Sequence, residues 1–301
     1  MKKPIKLNKG DKVGIFIPSS PVKSDYRKRG LENINRMGLV PVEVENIFEN
    51  SGFTGKLPEN IIEDMEIFLD DDTVSALLAA RGGYGSNFLL DRLGKFKEKE
   101  PKIIIGSSDV GYLLWGLMEV MNTVVFYGPM AYSGIADNKF DYKNFLEILS
   151  GDYEEIVVHG KVLKSGKVNE VVTGGCLSNI VSLCGSEFFP NVENKILLIE
   201  DVNERPFRLD RMLWQLEGNG VFSKVKGIIF GEFPGCFISE KEKETFYRSI
   251  LKYFESFDYP VLYDMPFGHS SYAKILPLGI KINIDTYKYK GLTIREKGVI
   301  V

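Results

Sequence analysis

One turn in the sequence has the residue types of a catalytic serine. The segment Gly106–Asp109 (Gly-Ser-Ser-Asp) follows the apolar run Ile103–Ile105 and precedes an apolar helical pattern. α/β hydrolases expose their nucleophile on such a strand-to-helix turn, where the first N–H groups of the helix face the developing oxyanion. The strict Gly-x-Ser-x-Gly motif is absent, so a plain helix cap made by Asp109 is an alternative. The turn predicts either a nucleophile at Ser108 or a capped helix start.

A glycine-rich loop follows an earlier apolar run. Residues 81–86 have the sequence Arg-Gly-Gly-Tyr-Gly-Ser. The glycines let the backbone turn tightly and approach a ligand, so that its N–H groups can hold a phosphate or an oxyanion. No P-loop lysine follows, which disfavours nucleotide binding. Because the carboxyl ends of parallel strands meet at one sheet edge, we expect this loop to lie at the same edge as Ser108.

An acid and a base follow in the second half of the chain. His269 lies in a loop just after the apolar run Val261–Tyr263, whereas His159 lies in a charged segment where a solvated histidine is expected. Glu200 ends another apolar run, and a carboxylate at the end of a buried strand needs a partner. Solvent or a salt bridge to a following arginine is the alternative environment for it. The chain order Ser108, Glu200, His269 is the nucleophile, acid, base order of α/β hydrolases.

The hydropathy pattern predicts the elements that position these residues. Over residues 1–150, short apolar runs alternate with helical segments, which favours a parallel sheet covered by helices on both faces. Residues 151–172 are charged and poor in large apolar residues, so we predict a linker and a mobile loop there. Apolar runs then resume, and a strand-like alternation predicts a hairpin at the end. We therefore predict an α/β nucleophile domain over 1–150 and a C-terminal domain over 173–301 that carries the acid and the base.

Composition excludes several classes of protein. The chain of 301 residues has a net charge of −3, so it has no bulk attraction for nucleic acid or for an anionic membrane. Its three cysteines and two histidines include no Cys-x-x-Cys pair, which argues against a zinc site. The N-terminus lacks the apolar stretch of a signal peptide, and no apolar run is long enough to span a membrane. We therefore expect a cytoplasmic protein.

Taken in order, the motifs of the chain resemble those of the LD-carboxypeptidase family. They are Arg81–Gly85, Gly106–Asp109, Tyr127–Pro129, Thr173–Gly175, Leu198–Asp201, Asp210–Leu213, Gly268–His269 and Leu276–Gly279. These serine peptidases include murein tetrapeptide carboxypeptidases and microcin C immunity peptidases. Each motif is weak alone, but together they cover essentially the whole chain. The resemblance implies a flavodoxin-like N-terminal domain with a parallel sheet and a smaller, β-rich C-terminal domain.

The resemblance also implies which residues act in catalysis. The catalytic triad falls on Ser108, Glu200 and His269. The oxyanion hole falls on the backbone N–H groups of Gly83 and Asp109. The family pattern further implies an enzyme without a cofactor or a metal, a homodimer, and a small peptide as the substrate.

Three residues near these motifs bear on substrate binding, and a fourth departs from the family pattern near the site. Arg81 and Gly82 lie in the glycine-rich loop, and Arg81 either binds the terminal carboxylate of the substrate or hydrogen-bonds to loop carbonyls. Ser107 stands where the family usually has an aromatic residue, so it alters a substrate wall and is a rival nucleophile. Cys176 replaces the asparagine of the family's Gly-Gly-Asn-Leu motif, so we expect a hydrogen bond near the site to be lost.

The predicted reaction is acyl transfer to Ser108 and then to water, which removes the terminal D-alanine from an L,D-linked murein tetrapeptide. The alternative within the family is hydrolysis of aminoacyl-nucleotide amides, with an aromatic loop that stacks on the base. The candidate loop 151–172 has Tyr153 but no tryptophan, and Trp115 and Trp214 are predicted to be core residues, which favours the murein peptide. A non-catalytic ligand-binding protein of the same fold is a further alternative. The third residue of the peptide is left open.

Overall fold

The chain folds into two compact units, each built from separate stretches of sequence. The computed structural model describes residues 1–22, 24–45, 47, 51–137, 139–270 and 272–301, without the side chain of Ser24. The first unit comprises Met1–Tyr153, Ser271–Gly279 and Lys297–Val301, and the second comprises Glu154–Ser270 and Ile280–Glu296. The sequence had predicted contiguous domains instead, because hydropathy does not reveal when a chain returns to an earlier unit.

Many of the strands coincide with the short apolar runs of the sequence. In the described residues they are β1 (Lys12–Phe16), β2 (Val40–Glu43), β3 (Val74–Ala79), β4 (Ile103–Gly106), β5 (Val125–Tyr127), β6 (Ile156–His159), β7 (Lys161–Lys164), β8 (Lys167–Cys176), β9 (Ile196–Glu200), β10 (Gly227–Phe230), β11 (Val261–Tyr263), β12 (Leu276–Leu278), β13 (Lys281–Asp285) and β14 (Gly291–Ile294). Many of these runs are rich in β-branched residues, which favour strands.

Helices occupy much of the chain between the strands. In the described residues they are α1 (Ser24–Arg36), α2 (Pro58–Asp70), α3 (Gly111–Met121), α4 (Tyr142–Ser150), α5 (Leu177–Ser182), α6 (Pro206–Gly218), α7 (Val221–Lys224) and α8 (Glu240–Ile250), with 3₁₀ segments at Ser86–Phe96, Ser108–Val110 and Leu251–Tyr253. None of the helices in the described ranges is both long and apolar enough to cross a membrane.

The sheet of the first unit has the strand order β12-β5-β4-β3-β1-β2. Strands β1 to β5 run parallel to their neighbours, and β12 joins antiparallel, with Leu276 opposite Tyr127. The order 2-1-3-4-5 of the parallel strands is that of flavodoxin-like folds. The central strand β4 is buried throughout, as expected for a strand covered on both faces. The predicted α/β fold with a parallel N-terminal sheet is confirmed.

The sheet of the second unit is mixed, with the order β6-β14-β13-β8-β9-β10-β11-β7. Strands β8 to β11 form a parallel centre, and the outer strands pair antiparallel. Strands β13 and β14 form the predicted hairpin, with Asn283 opposite Thr293. Strand β9 is buried along its whole length, which carries Glu200 at its end into the interior.

Residues 151–172 form strands in place of the predicted linker and loop. They contain β6, β7 and the first part of β8. In β6, Ile156 and Val158 are buried while Val157 and His159 are exposed, the pattern of a half-buried strand. Strands β6 and β7 are the two edges of their sheet, where charged side chains oppose edge-to-edge association. Two of the charges that suggested a linker, Lys161 and Lys164, therefore belong to an edge strand.

The two tryptophans differ in burial, so the prediction that both belong to the core is wrong for one of them. Trp115 on α3 is 2% exposed, as predicted, whereas Trp214 on α6 is 67% exposed. The buried face of α6 is formed by Leu209, Leu213 and Leu216. Trp214 follows Leu213 directly, and one residue turns the helix by about 100°, which directs the indole away from that face.

Candidate active site

Strand β4 leads into a sharp turn that carries Ser107 and Ser108. The strand ends at Gly106, and the 3₁₀ turn Ser108–Val110 continues directly into α3. Ser107 is extended with φ −156°, whereas Ser108 has φ 59°, in the left-handed region that side-chain-bearing residues seldom adopt. The Ser108 N–H donates a hydrogen bond to Oη of Tyr127 at 3.0 Å. A strained serine between a strand and a helix is the geometry of a nucleophile elbow.

Asp109 braces the loops around this turn and does not cap a helix. Neither the 3₁₀ turn nor α3 has a side-chain cap at its N-terminus. The buried Asp109 carboxylate accepts hydrogen bonds from the Ser19 hydroxyl at 2.6 Å and from the Ser86 N–H at 2.9 Å. Ser19 follows β1 and Ser86 ends the glycine-rich loop, so Asp109 ties together the loops after β1, β3 and β4. The alternative that Asp109 caps the helix is therefore wrong.

The glycine-rich loop passes beside Ser108. A Cβ atom on Gly82 would lie 3.0 Å from Cβ and 3.1 Å from Oγ of Ser108. Gly83 has φ 127°, and a Cβ atom there would lie 2.3 Å from Oγ of Ser20. A side chain at Gly82 would thus crowd the serine, and Gly83 has both the backbone conformation and the close contact that require glycine. The roles of the Gly83 and Asp109 N–H groups as oxyanion donors stay predictions.

Arg81 hydrogen-bonds to loop carbonyls, which is one of the two roles that the sequence suggested for it. Its Nε donates to the carbonyl of Gly82 and its Nη1 to the carbonyl of Pro21, each at 3.1 Å. The guanidinium therefore braces loop carbonyls. Binding of a substrate carboxylate by the rest of the guanidinium stays a prediction.

In the second unit, Glu200 and His269 form a buried pair. Glu200 is fully buried at the end of β9, and its Oε2 lies 2.6 Å from Nδ1 of His269. The alternative partners of Glu200 were the arginines that follow it, one of which, Arg208, pairs with Glu204 at 2.9 Å. Nε2 of His269 is buried and has no hydrogen-bond partner among the residues that the structure describes. A carboxylate that fixes Nδ1 leaves Nε2 to accept and return a proton, as in a catalytic triad.

Two glycines make room for this pair. Gly268 has φ 118°, and a Cβ atom there would lie 2.4 Å from Oε2 of Glu200. A Cβ atom on Gly231, directly after β10, would lie 2.4 Å from the carbonyl oxygen of Phe267 and 2.9 Å from Cβ of Glu200. The sequence analysis noted Gly268 and missed Gly231, although its place just after an apolar run was a usable signal.

The charge of Glu200 controls the protonation of His269. Burial alone would lower the pKa of the imidazole. The charge of Glu200 and its hydrogen bond raise the pKa by more than burial lowers it, so the pKa lies above the ordinary value of 6.5. Burial also raises the pKa of the neighbouring Asp201, whose carboxylate accepts hydrogen bonds from the N–H groups of Ser178 and Val202. Glu200 therefore stabilises the imidazolium that His269 becomes when it takes up a proton as a base.

Cys176 and Glu200 face each other in the sheet. The two residues are register partners of β8 and β9, and the Cys176 thiol lies 3.2 Å from Oγ of Ser178. Burial and the nearby Glu200 raise the pKa of the thiol, which keeps it neutral. A neutral thiol is a weak hydrogen-bonding group compared with an amide. The expected loss of a hydrogen bond at this position stays a prediction.

His159 lies outside this cluster. It is exposed on β6, opposite Gly291 of β14, which fits the predicted solvated histidine. In the part of the chain that the structure describes, no three or more His, Cys, Asp or Glu side chains are arranged to hold a metal ion.

Comparison with known proteins places these features in a family. Residues 13–128 match the LD-carboxypeptidase N-terminal domain, and residues 170–284 match the LD-carboxypeptidase C-terminal domain. The probable murein peptide carboxypeptidase of Bacillus subtilis is 31% identical over 293 residues, covering 94% of this chain and 92% of that protein. The microcin C7 self-immunity protein of Escherichia coli is 28% identical over 326 residues, covering 96% and 94%.

Solved structures share the fold over at least 95% of the chain. A variant of the microcin C7 self-immunity protein in complex with adenosine monophosphate superposes with a TM-score of 0.89 at 25% identity, covering 100% of both chains. The muramoyltetrapeptide carboxypeptidase of Oxalobacter formigenes has the same fold, with a TM-score of 0.82 at 23% identity, covering 95% of this chain and 99% of that one. As the motifs predicted, the chain belongs to the LD-carboxypeptidase family of hydrolases.

Proposed function

We propose that this protein is a serine carboxypeptidase that removes the terminal D-alanine from an L,D-linked murein tetrapeptide. The observation that carries the proposal is the buried contact of 2.6 Å between Glu200 and Nδ1 of His269. The left-handed backbone of Ser108 gives further support, because a strained strand-to-helix turn is typical of a serine nucleophile.

In the proposed mechanism, Oγ of Ser108 attacks the carbonyl carbon of the third peptide residue. Nε2 of His269 takes the hydroxyl proton, and Glu200 holds the imidazole in the required tautomer and stabilises its charged form. The N–H groups of Gly83 and Asp109 donate to the oxyanion of the tetrahedral intermediate. His269 passes its proton to the leaving amine, so D-alanine departs and an acyl-enzyme remains. Water, deprotonated by His269, then releases the tripeptide and regenerates Ser108.

The names of two relatives support the substrate. The similar protein of Bacillus subtilis is named a probable murein peptide carboxypeptidase, and the solved relative of Oxalobacter formigenes a muramoyltetrapeptide carboxypeptidase. We further propose a cytoplasmic homodimer, which rests on the family resemblance alone and which light scattering of the purified protein tests.

A second candidate is hydrolysis of an aminoacyl-nucleotide amide. It is favoured by the TM-score of 0.89 to the microcin C7 self-immunity protein bound to adenosine monophosphate. Against it, Tyr153, the aromatic residue that marked segment 151–172 as a candidate base-stacking loop, is only 8% exposed. The exposed Trp214 removes part of the earlier argument for murein peptide, which assumed that both tryptophans are buried.

One experiment separates these candidates. The purified protein is incubated with murein tetrapeptide and, separately, with an aminoacyl sulfamoyl-adenosine, and the released D-alanine or amino-nucleoside is measured. The proposal predicts release of D-alanine from the tetrapeptide. Release of the amino-nucleoside alone would favour the second candidate. No release from either substrate would favour a non-catalytic binding protein of the same fold.

A further inference from the structure

The proposed oxyanion donor, the N–H of Gly83, belongs to a backbone segment that would be flexible on its own. Gly82 and Gly83 are adjacent, and glycine has access to more backbone conformations than any other residue. A hydrogen-bond donor stabilises a developing oxyanion best when it is already held in place before the reaction. Other residues of the first unit must therefore fix the backbone at Gly83.

The peptide group that contains the Gly83 N–H is held by Arg81. The carbonyl of this group belongs to Gly82, and it accepts a hydrogen bond from Nε of Arg81 at 3.1 Å. Nη1 of the same guanidinium donates to the carbonyl of Pro21 at 3.1 Å. Because a trans peptide group is planar and its N–H points away from its carbonyl oxygen, the bond from Arg81 also sets the direction of the Gly83 N–H.

The following peptide group is held by Ser20, in the loop after β1. The Tyr84 N–H donates to Oγ of Ser20 at 3.1 Å, and the Ser20 hydroxyl donates to the carbonyl of Phe53 at 3.3 Å. Oγ of Ser20 also lies so close to Gly83 that a Cβ atom there would be only 2.3 Å from it. Ser20 therefore fixes the backbone directly after Gly83 and blocks the movement of Gly83 towards the loop after β1.

The residue before Ser20 connects the same loop to the nucleophile turn. The Ser19 hydroxyl donates to the carboxylate of Asp109 at 2.6 Å, and Asp109 directly follows Ser108. The loop after β1 thus contacts both segments that supply the proposed oxyanion donors, Gly83 beside Ser20 and Asp109 through Ser19. Two adjacent serines therefore link the two halves of the proposed oxyanion hole.

We propose that Ser20 is a positioning residue, which holds the Gly83 N–H at the place where the oxyanion of the tetrahedral intermediate forms. This inference rests on the proposed function, in which the Gly83 N–H is a donor, and deepens it. Without the Ser20 hydroxyl, the Tyr84 N–H loses this acceptor and the glycines before it regain conformational freedom. The loss affects the transition state, which carries the negative oxygen, more than the bound substrate, whose carbonyl is uncharged.

The kinetics of D-alanine release from murein tetrapeptide test this role in Ser20→Ala. Removal of an oxyanion donor costs about 10²- to 10³-fold in kcat, and a misplacement of about 1 Å costs about 10²-fold in rate. Because Ser20→Ala loosens the donor without removing it, we expect kcat to fall about 10- to 100-fold while KM changes little. A loss of general structural integrity would not produce this separation of kcat from KM.

A second readout is inhibition by a tripeptide that has a boronic acid in place of its terminal carboxyl group. Oγ of Ser108 adds to the boron atom and its proton passes to His269, so the boron becomes a tetrahedral anion with a hydroxyl at the position of the oxyanion. Such a mimic of the transition state depends on the oxyanion donors. Its inhibition constant should therefore rise in Ser20→Ala by about the factor that kcat loses.

Ser150→Ala is the matched control. The Ser150 hydroxyl donates to the carbonyl of Glu147 at 3.3 Å and accepts the N–H of Asp152 at 3.2 Å, the same two kinds of hydrogen bond that Ser20 makes. Its removal should leave kcat and the inhibition constant unchanged. An unchanged kcat in Ser20→Ala, or an equal fall of kcat in both variants, would overturn the role of Ser20 alone. No release of D-alanine by the unaltered protein would refute the proposed function and this role with it.

Discussion

Replacement of Glu200 by glutamine isolates the contribution of the buried acid to catalysis. Glutamine keeps the size of the side chain but removes the charge that faces Nδ1 of His269 at 2.6 Å. A hydrogen bond to a charged group stabilises by about 1.5–3 kcal/mol, and each 1.36 kcal/mol is a factor of about ten in rate. Loss of this contact should therefore lower kcat/KM about 10- to 100-fold. A wrong imidazole tautomer would increase the loss towards about 10⁴-fold.

The same variant should shift the pH dependence in a defined direction. The pKa of His269 is raised above 6.5 because the charge and hydrogen bond of Glu200 outweigh burial. The base must be neutral, so kcat/KM of the unaltered protein should fall as the pH drops through this raised value. In Glu200→Gln burial remains and the charge is gone, so the acid limb should move to lower pH.

Two measurements check this expectation. The first is the pH profile of D-alanine release from the tetrapeptide. The second is NMR titration of the imidazole protons, which is simple to assign because the chain has only two histidines and His159 is exposed. An unchanged rate together with an unchanged limb in Glu200→Gln would refute the role of Glu200 as the acid of the triad.

Three further variants test the bracing of the nucleophile turn. Tyr127→Phe removes the acceptor of the Ser108 N–H and should lower both kcat and the free energy of unfolding, the latter by about 1–3 kcal/mol; equal denaturation midpoints would contradict this. Gly82→Ala brings a methyl group within 3.1 Å of Oγ of Ser108 and should lower kcat about tenfold or more with an unchanged circular dichroism spectrum. Asp109→Asn should destabilise by about 1.5–3 kcal/mol in urea unfolding, whereas the control Asp91→Asn, at a carboxylate 66% exposed, should change stability by less than about 0.5 kcal/mol.

Much of the fold followed from local sequence patterns. Runs such as Ile103–Ile105 are apolar, β-branched and followed by a turn, and they form buried strands of the predicted parallel sheet. The edge strand Lys161–Lys164 was not predicted, because its charged residues resemble those of a linker. The burial of Trp214 was predicted wrongly, because the apolar residues of α6 do not by themselves show which face of the helix packs against the rest of the protein.

The candidate site was predictable in its residue types and not in its bracing contacts. Ser108 and His269 follow apolar runs and Glu200 ends one, which is a local signal. The bond from Ser19 to Asp109 spans 90 residues of sequence, and that from the Ser108 N–H to the tyrosine at the end of β5 spans 19. Such contacts depend on the order of the strands in the sheet, and the hydropathy pattern of a single strand does not predict that order.

The role of Ser108 is tested most directly by D-alanine release from murein tetrapeptide, compared between Ser108→Ala and Ser107→Ala. The two serines are adjacent, but only Ser108 has the left-handed backbone of a nucleophile elbow, whereas Ser107 is extended and 6% exposed. We predict that Ser108→Ala loses at least about 10⁴-fold in kcat while Ser107→Ala keeps most of its activity. Loss of cleavage in Ser107→Ala alone, with Ser108→Ala still active, would contradict the proposed mechanism.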